Sequence, residues 1–140
     1  MSADLRCVVV GYDGSEAGTA ALRWALEHTS PDGQVLAVAA FGREPVPVPG
    51  AERVARVGTR MSHDDRHVWQ AWEVDAAAVG DEAELIVERG LPSAVLLRIA
   101  AERGADLIVL GRHRRRLGAV LPSVLRDVLH AAEVPVVVVP

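Results

Sequence analysis

Four short aliphatic stretches constrain the fold of this sequence more than any other feature. They cover residues 7–10, 35–40, 105–110 and 134–139, and all their residues except Cys7, Asp106 and Pro135 are aliphatic. A glycine or proline lies within two residues after each stretch. Apolar runs of this length, without alternation, are typical of strands buried on both faces of a parallel sheet. A fifth stretch alternates Ala83, Leu85 and Val87 with Glu84, Ile86 and Glu88, which predicts a strand at or near a sheet edge.

Helical periodicity separates these stretches. Ser15 is a good N-cap for a first helix, and the Pro31-Asp32-Gly33 turn is expected to end it. Pro92 suits the first turn of a later helix, although Leu91 before it is a poor cap. A further helix is predicted over roughly 60–79, and the last helix is expected to restart at Pro122-Ser123.

The order of these elements predicts the fold class. Strands that alternate with helices predict a single α/β domain over residues 1–140, with a five-stranded parallel, doubly wound sheet and helices on both faces. Ligands of such sheets bind beyond the carboxyl ends of the strands, at the topological switch point. The loops after the first and fourth strands, residues 11–15 and 111–122, are expected to lie there.

Composition excludes several classes of function. The 140 residues include fifteen arginines and no lysine, which rules out a Walker A loop and Schiff-base chemistry within this sequence. The net charge of −4 disfavours a nucleic-acid partner. Cys7 is the single cysteine, and no signal peptide or membrane span is evident, so we expect a cytoplasmic protein without membrane insertion.

The basic loop after the fourth strand is the strongest candidate site. Gly111 is followed within five residues by four arginines, among them Arg112, Arg114 and Arg115, and then by Gly118. Arginines beside a helix start can hold an anion, because guanidinium donors add to the free N–H groups of the helix. The alternative is a solvated basic loop that binds nothing.

The sequence as a whole resembles the universal stress protein family. Three segments carry the resemblance: VVVGYDGSEAGTAALRWA, VERGLPSAVLLRIAAERGADLIVLG and SVLRDVLHAAEVPVVVVP. The resemblance implies a flavodoxin-like or Rossmann-like sheet in the order 3-2-1-4-5, and dimerisation. Some members bind ATP through an aspartate after strand one and the loop after strand four.

The implied nucleotide site maps onto particular residues. The resemblance implies that Asp13 matches the aspartate that contacts the nucleoside and that Ala39 and Ala40 would line the adenine slot. The phosphate would be bound by residues that follow the fourth strand. These are Gly111, Arg112, Arg114, Arg115, Gly118, Ser123 and Val124.

The sequence departs from the family motif G-x2-G-x9-G-[S/T]. Arg114 replaces the second glycine, Pro122 replaces the third, and the loop is two residues short. Each change removes backbone freedom or a backbone donor, while the arginines could supply charged donors instead. ATP or AMP therefore stays open as a ligand, with Mg²⁺ expected only if ATP binds and no other metal predicted.

Other residues suggest weaker alternatives. His63 and His67 share the metal-ligand spacing of a helix but have no evident third ligand, so a solvated face is favoured. No nucleophile–base set is visible, so we expect no enzymatic turnover beyond slow ATP hydrolysis if nucleotide binds.

The last strand predicts a homodimer. From Val134 to Val139 it holds five valines, four of them consecutive, and in the implied order it is an edge, which is a liability unless it is paired or covered.

Three functions remain open at this stage. The first is a homodimeric stress-response regulator that binds ATP weakly or not at all, and the second is a genuine ATP- or AMP-binding protein. The third is an ancillary interaction subunit that acts through Trp69, Trp72 and the proline-rich stretch 42–50.

Overall fold

A computed structural model describes residues 4–12, 15–41, 82–112 and 120–140. Within these ranges the chain forms five strands and three helices. In chain order they are β1 (Leu5–Gly11), α1 (Glu16–His28), β2 (Thr29–Phe41), β3 (Glu84–Arg89), α2 (Pro92–Arg103), β4 (Leu107–Gly111), α3 (Val120–Ala131) and β5 (Val136–Val139).

The five strands form one parallel sheet in the order β3-β2-β1-β4-β5. The predicted fold class and strand order are therefore confirmed, and β3 lies at a sheet edge as its alternating pattern indicated. From β1 the chain adds β2 and β3 on one side, and it then returns to add β4 and β5 on the other side of β1. The switch point thus lies beyond the carboxyl ends of β1 and β4.

Two hydrophobic clusters cover the two faces of the sheet. The first packs Ala21, Leu22 and Ala25 of α1 against one face. The second packs α2 and α3 against the other face, with Ile99 and Val128 among its buried residues. Successive residues of β1 alternate between the clusters, and Val8, Val9 and Val10 are all fully buried. Burial on both faces explains why their sequence is uninterrupted by polar residues.

The starts of α1 and α2 agree with the predictions made from the sequence. The Ser15 hydroxyl accepts a hydrogen bond from the Gly18 N–H at 3.1 Å and caps α1. Leu91 precedes α2 without a side-chain cap, and Pro92 occupies the first turn. A proline is tolerated there because its missing N–H would have no partner inside the helix.

The end of α1 corrects one expectation. The helix ends at His28, before the Pro31-Asp32-Gly33 turn, and β2 begins at Thr29 instead of residue 35. The Thr29 hydroxyl donates to the Ala25 carbonyl at 2.6 Å, so a side chain satisfies a terminal carbonyl of the helix. The turn instead lies at a register shift of β2, where Leu5 pairs with Thr29 but Cys7 pairs with Gln34.

The boundaries of three later elements also differ from expectation. The last helix begins at Val120, so Pro122 and Ser123 lie inside its first turns instead of at its start. Pro122 is tolerated as the third helical residue, where an N–H would still lack an intrahelical partner. The strand β4 starts at Leu107 rather than residue 105, and the last strand starts at Val136 rather than Val134.

Several predicted features lie outside the described residues. They are the helix over 60–79, the proline-rich stretch 42–50, His63, His67, Trp69, Trp72, Asp13, Arg114, Arg115 and Gly118. In the described part of the chain, no helix is long and apolar enough to cross a membrane.

Candidate functional site at the carboxyl end of the sheet

The carboxyl ends of β1 and β4 meet the start of α1 at the switch point. Tyr12 follows β1, is buried, and donates its backbone N–H to the Val38 carbonyl at 2.8 Å. Arg112 follows β4 and donates its N–H to the Val139 carbonyl at 2.7 Å. Both strands are thus extended by one further backbone bond, and neither of these two N–H groups is available to a ligand.

Gly111 is held by close contact with α1. A Cβ at this position would overlap the backbone carbonyl of Ala17 in the first turn of that helix. Only glycine allows the two backbones to approach this closely. The sequence interpretation of Gly111 as a phosphate-motif residue missed this contact, because the contact depends on how α1 packs across β4.

The start of α1 presents, at this end of the sheet, backbone N–H groups that have no partner within the helix itself. Ser15 caps the helix with its hydroxyl, and its carbonyl accepts from Thr19 at 2.9 Å. The first N–H groups of a helix carry the positive end of its dipole. Glu16 is the acidic residue of this first turn and is exposed.

The Arg112 side chain is exposed and forms no ion pair with the residues that the structure describes. It therefore differs from Arg98, which pairs with Glu88 and also with Glu102. A guanidinium without a carboxylate partner can donate to an anion.

The predicted adenine-slot residues lie on the neighbouring strand β2. Ala39 belongs to the cluster beneath α1, while Ala40 is half-buried on the opposite face. Their side chains point to opposite faces because they are consecutive strand residues. On α3, Val124 packs into the second cluster. Ser123 lies in the same helix, but its side chain is outside the described part.

The amino end of the sheet has the opposite character. Asp106 accepts hydrogen bonds from the Arg6 N–H at 2.8 Å and the Cys7 N–H at 3.0 Å. The bonds from Cys7 and Arg6 hold the pKa of Asp106 below its ordinary value. Burial, followed by the charge of Asp106, raises the pKa of the Cys7 thiol.

Arginine and glutamate side chains complete that end. Arg103 donates to Glu84 at 2.9 Å, and this pairing raises the pKa of Arg103. Gln34 donates to the same carboxylate at 3.0 Å. In these contacts the Glu84 carboxylate is paired with Arg103 and Gln34, so we interpret the amino end of the sheet as a structural region.

No cluster of three or more potential metal ligands occurs among the described residues. The carboxyl end therefore offers helix N–H groups and one exposed guanidinium, which suit an anionic ligand, whereas the described residues offer no carboxylate set for a cation.

Comparison with known proteins identifies the family. The family model for the universal stress protein family matches residues 5–140. No significant match occurs among curated protein sequences.

Solved structures show the same fold. A universal stress protein in complex with cAMP is 23% identical, with a TM-score of 0.65, and the alignment covers 99% of this chain and 98% of that one. The hypothetical protein MJ0577 is 20% identical, with a TM-score of 0.67 and coverages of 98% and 96%. A universal stress protein family protein from Arabidopsis thaliana with AMP bound is 18% identical, with a TM-score of 0.57 and coverages of 96% and 90%. These identities establish the shared fold alone, but the family model spans almost the entire chain. The chain therefore belongs to the universal stress protein family.

Proposed function

We propose that this protein is a homodimeric regulator that binds an adenine nucleotide of the monophosphate class at the carboxyl end of the sheet. The observation that carries the proposal is the exposed Arg112 guanidinium beside the start of α1 at the switch point. Asp13 would hold the ribose or base, and Ala39 or Ala40 would line the adenine slot. Catalytic turnover is not expected, and cytoplasmic localisation stays a prediction.

A monophosphate fits the available donors better than a triphosphate. The N–H groups of Tyr12 and Arg112 are already used by neighbouring strands. Arg114 and Pro122 remove further backbone freedom and donors from the phosphate motif, and the loop is short. The remaining donors are mainly arginine side chains, with Arg114, Arg115, Gly118 and Ser123 as further predicted contacts. They suit one compact anion, and no Mg²⁺ is then required.

Two of the similar structures support this ligand class. One is described as a complex with cAMP and another as having AMP bound. Those ligands belong to proteins less than 25% identical to this chain, so they motivate the choice of AMP and cAMP as probes.

The nucleotide proposal is tested by calorimetric titration with AMP, cAMP, ATP and inorganic phosphate. We expect saturable binding of AMP at millimolar concentration or tighter, and no tighter binding of ATP. Arg112→Ala should weaken AMP binding roughly 10-fold or more, since hydrogen bonds to charged groups contribute about 1.5–3 kcal/mol. Asp13→Ala should abolish binding.

Arg126→Ala is the matched control, because Arg126 is an exposed arginine of α3 whose only described ion pair is a 4.0 Å contact with its neighbour Asp127. It should leave the affinity unchanged. A flat titration with every probe would contradict nucleotide binding and favour a regulator without a ligand.

The proposed dimer uses β5. The two edge strands differ, because β3 carries the paired carboxylates Glu84 and Glu88, whereas β5 consists of four valines. Val138 is 36% exposed, and an apolar edge of this kind favours pairing with a second copy. Light scattering at tens of micromolar should give a dimer mass, and Val138→Lys should give a folded monomer. A wild-type monomer would contradict this part of the proposal.

A further inference from the structure

The helix α3 carries apolar residues on two adjacent faces. Val124 and Val128 pack into the second cluster, and Val128 is fully buried. Leu125 and Leu129 each follow one of these valines directly, which places them about 100° further round the helix. Leu125 is half-buried, whereas Leu129 is 54% exposed, the largest exposed fraction among the large apolar side chains of the described residues. The valines therefore hold α3 on the sheet, and the leucines form a second face that is open to solvent.

A groove runs along this leucine face and is called the α3 groove below. It has a volume of about 330 Å³ and is lined by Leu125, Arg126, Leu129 and His130. These residues form two pairs at i, i+4 spacing, so the leucines lie along one side and the arginine and histidine along the other.

The polar side of the α3 groove offers hydrogen-bond donors without a carboxylate. Asp127 does not line the groove, because it lies about 100° beyond Arg126 on the side away from the leucines. Its contact with the Arg126 guanidinium is 4.0 Å long, and that guanidinium is 68% exposed. His130 forms no ion pair with the residues that the structure describes.

We infer that the α3 groove is a docking site for an acidic amphipathic helix of another protein. Apolar side chains of that helix, spaced i, i+4, pack on Leu125 and Leu129. Carboxylates beside them accept hydrogen bonds from the Arg126 guanidinium and the His130 imidazole. Charge complementarity selects this partner, since a basic helix would bring further positive charge to Arg126.

The same charge argues against a second copy of this chain as the occupant. A two-fold interface brings the same surface patch of both copies together. Two α3 grooves facing each other would place two Arg126 side chains on one small patch, without a carboxylate in either groove. Like charges that meet across an interface oppose association.

The α3 groove is separate from the proposed nucleotide site. Its residues belong to the second half of α3, and α3 runs back toward the amino end of the sheet because it connects the parallel strands β4 and β5. Docking there requires neither AMP nor Arg112.

Helical peptides serve as the probe in the test. A phage-displayed library of helical peptides with randomised positions is selected on the full chain and, in parallel, on Leu129→Ser. We expect the wild-type protein to enrich peptides with large apolar residues at i, i+4 spacing and with Asp or Glu beside them. Enrichment of Lys or Arg at those positions, or equal enrichment by Leu129→Ser, would overturn the inference.

A synthetic copy of the most enriched peptide tests the individual residues by fluorescence anisotropy. Leu129→Ser should weaken its binding roughly 10-fold or more, as truncation of a central interface residue does. Arg126→Ala should weaken it roughly 3-fold or more at low salt, and the loss should shrink as the ionic strength rises. Leu91→Ser is the matched control, because Leu91 is also exposed, at 43%, but lies at the start of α2. An equal loss in Leu91→Ser would contradict binding at α3.

Two further measurements separate this docking site from the other proposals. Sedimentation of Leu129→Ser should give the same oligomeric state as the wild-type protein, since conversion to a monomer would mean that a second copy fills the groove. Arg112→Ala should bind the peptide as the wild-type protein does, although it is expected to weaken AMP binding. A loss of peptide binding in Arg112→Ala would place the peptide at the carboxyl end and overturn the inference.

Discussion

The two ends of the sheet treat charge in opposite ways. At the amino end, Asp106 accepts two backbone N–H groups, and Arg103 is paired with Glu84. At the carboxyl end, the backbone N–H of Arg112 is bonded but its guanidinium has no ion-pair partner among the described residues. The difference teaches that backbone hydrogen bonds build both ends, whereas side-chain charges are paired at the amino end and the described Arg112 charge is unpaired at the carboxyl end.

The largest effect on stability is expected at the carboxyl end, where the backbone of Gly111 contacts that of Ala17. Gly111→Ala should lower the free energy of unfolding by about 3 kcal/mol, because the new methyl group overlaps the Ala17 carbonyl and the backbone must shift. Chemical denaturation measures this change.

Gly104→Ala is the matched control for that substitution. Gly104 has a φ of 62° but no heavy atom within 4 Å of the new methyl group, so only the backbone conformation opposes it. Its cost should be about 1 kcal/mol. Equal effects of the two substitutions would show that the contact with α1 is not what requires glycine at position 111.

An intermediate effect is expected at the amino end. Asp106→Asn should cost about 1 kcal/mol at pH 7, because a charged acceptor of two hydrogen bonds becomes neutral in an exposed position.

The effect should depend on pH in a defined direction. The folded-state pKa of Asp106 lies below its unfolded value, so its stabilising contribution is present above the unfolded value and is lost as pH falls through the folded value. The stability difference from Asp106→Asn should therefore be constant from pH 7 to about 5 and shrink below about pH 4. A difference that persists undiminished at pH 2 would contradict the assignment.

The same substitution should increase the reactivity of Cys7. Burial is the larger cause of the raised pKa of the thiol, and the negative charge of Asp106 is the next. Asp106→Asn should thus increase the alkylation rate of Cys7 at pH 8 modestly, with equal rates in the unfolded proteins. An unchanged rate would show that Asp106 does not influence the thiol.

The smallest effects on stability are expected for exposed charges at either end. Asp32→Asn breaks an exposed ion pair with Arg6 whose side chains are 64% and 69% exposed, and should change stability by less than about 0.5 kcal/mol. Arg112→Ala should be equally neutral for stability, measured by thermal unfolding without ligand, and yet weaken AMP binding. A large loss of stability in Arg112→Ala would give this side chain a structural role and remove the contrast between the ends.

The candidate site could be predicted only in part. The aliphatic runs placed the ends of β1 and β4 at one end of the sheet, and the structure places Gly111 and Arg112 at that end of β4, while their role as site residues stays a prediction. The contact between Gly111 and Ala17 could not be predicted, because it depends on how α1 lies across β4. The roles of Asp13, Arg114, Arg115 and Gly118 stay predictions.

Local chemistry determined most of the architecture. The β-branched runs, the Ser15 cap and Pro92 each act through residues that are neighbours in the chain, so steric and hydrophobic periodicity alone predict them. The predicted end of α1 was wrong, because the Thr29 hydroxyl donates to a terminal carbonyl of the helix and α1 ends before the Pro31-Asp32-Gly33 turn.

Tertiary structure decided the contacts that distinguish the two ends. Asp106 reaches the Arg6 N–H across 100 positions of sequence, and Arg112 is joined to Val139 only because β4 and β5 are paired. Hydrophobic periodicity cannot predict such contacts, because they depend on the register of paired strands and on how closely the backbones pack. The sequence by itself determined the sheet and its switch point, and packing decided which of the described charges at the two ends of the sheet are paired and which are not.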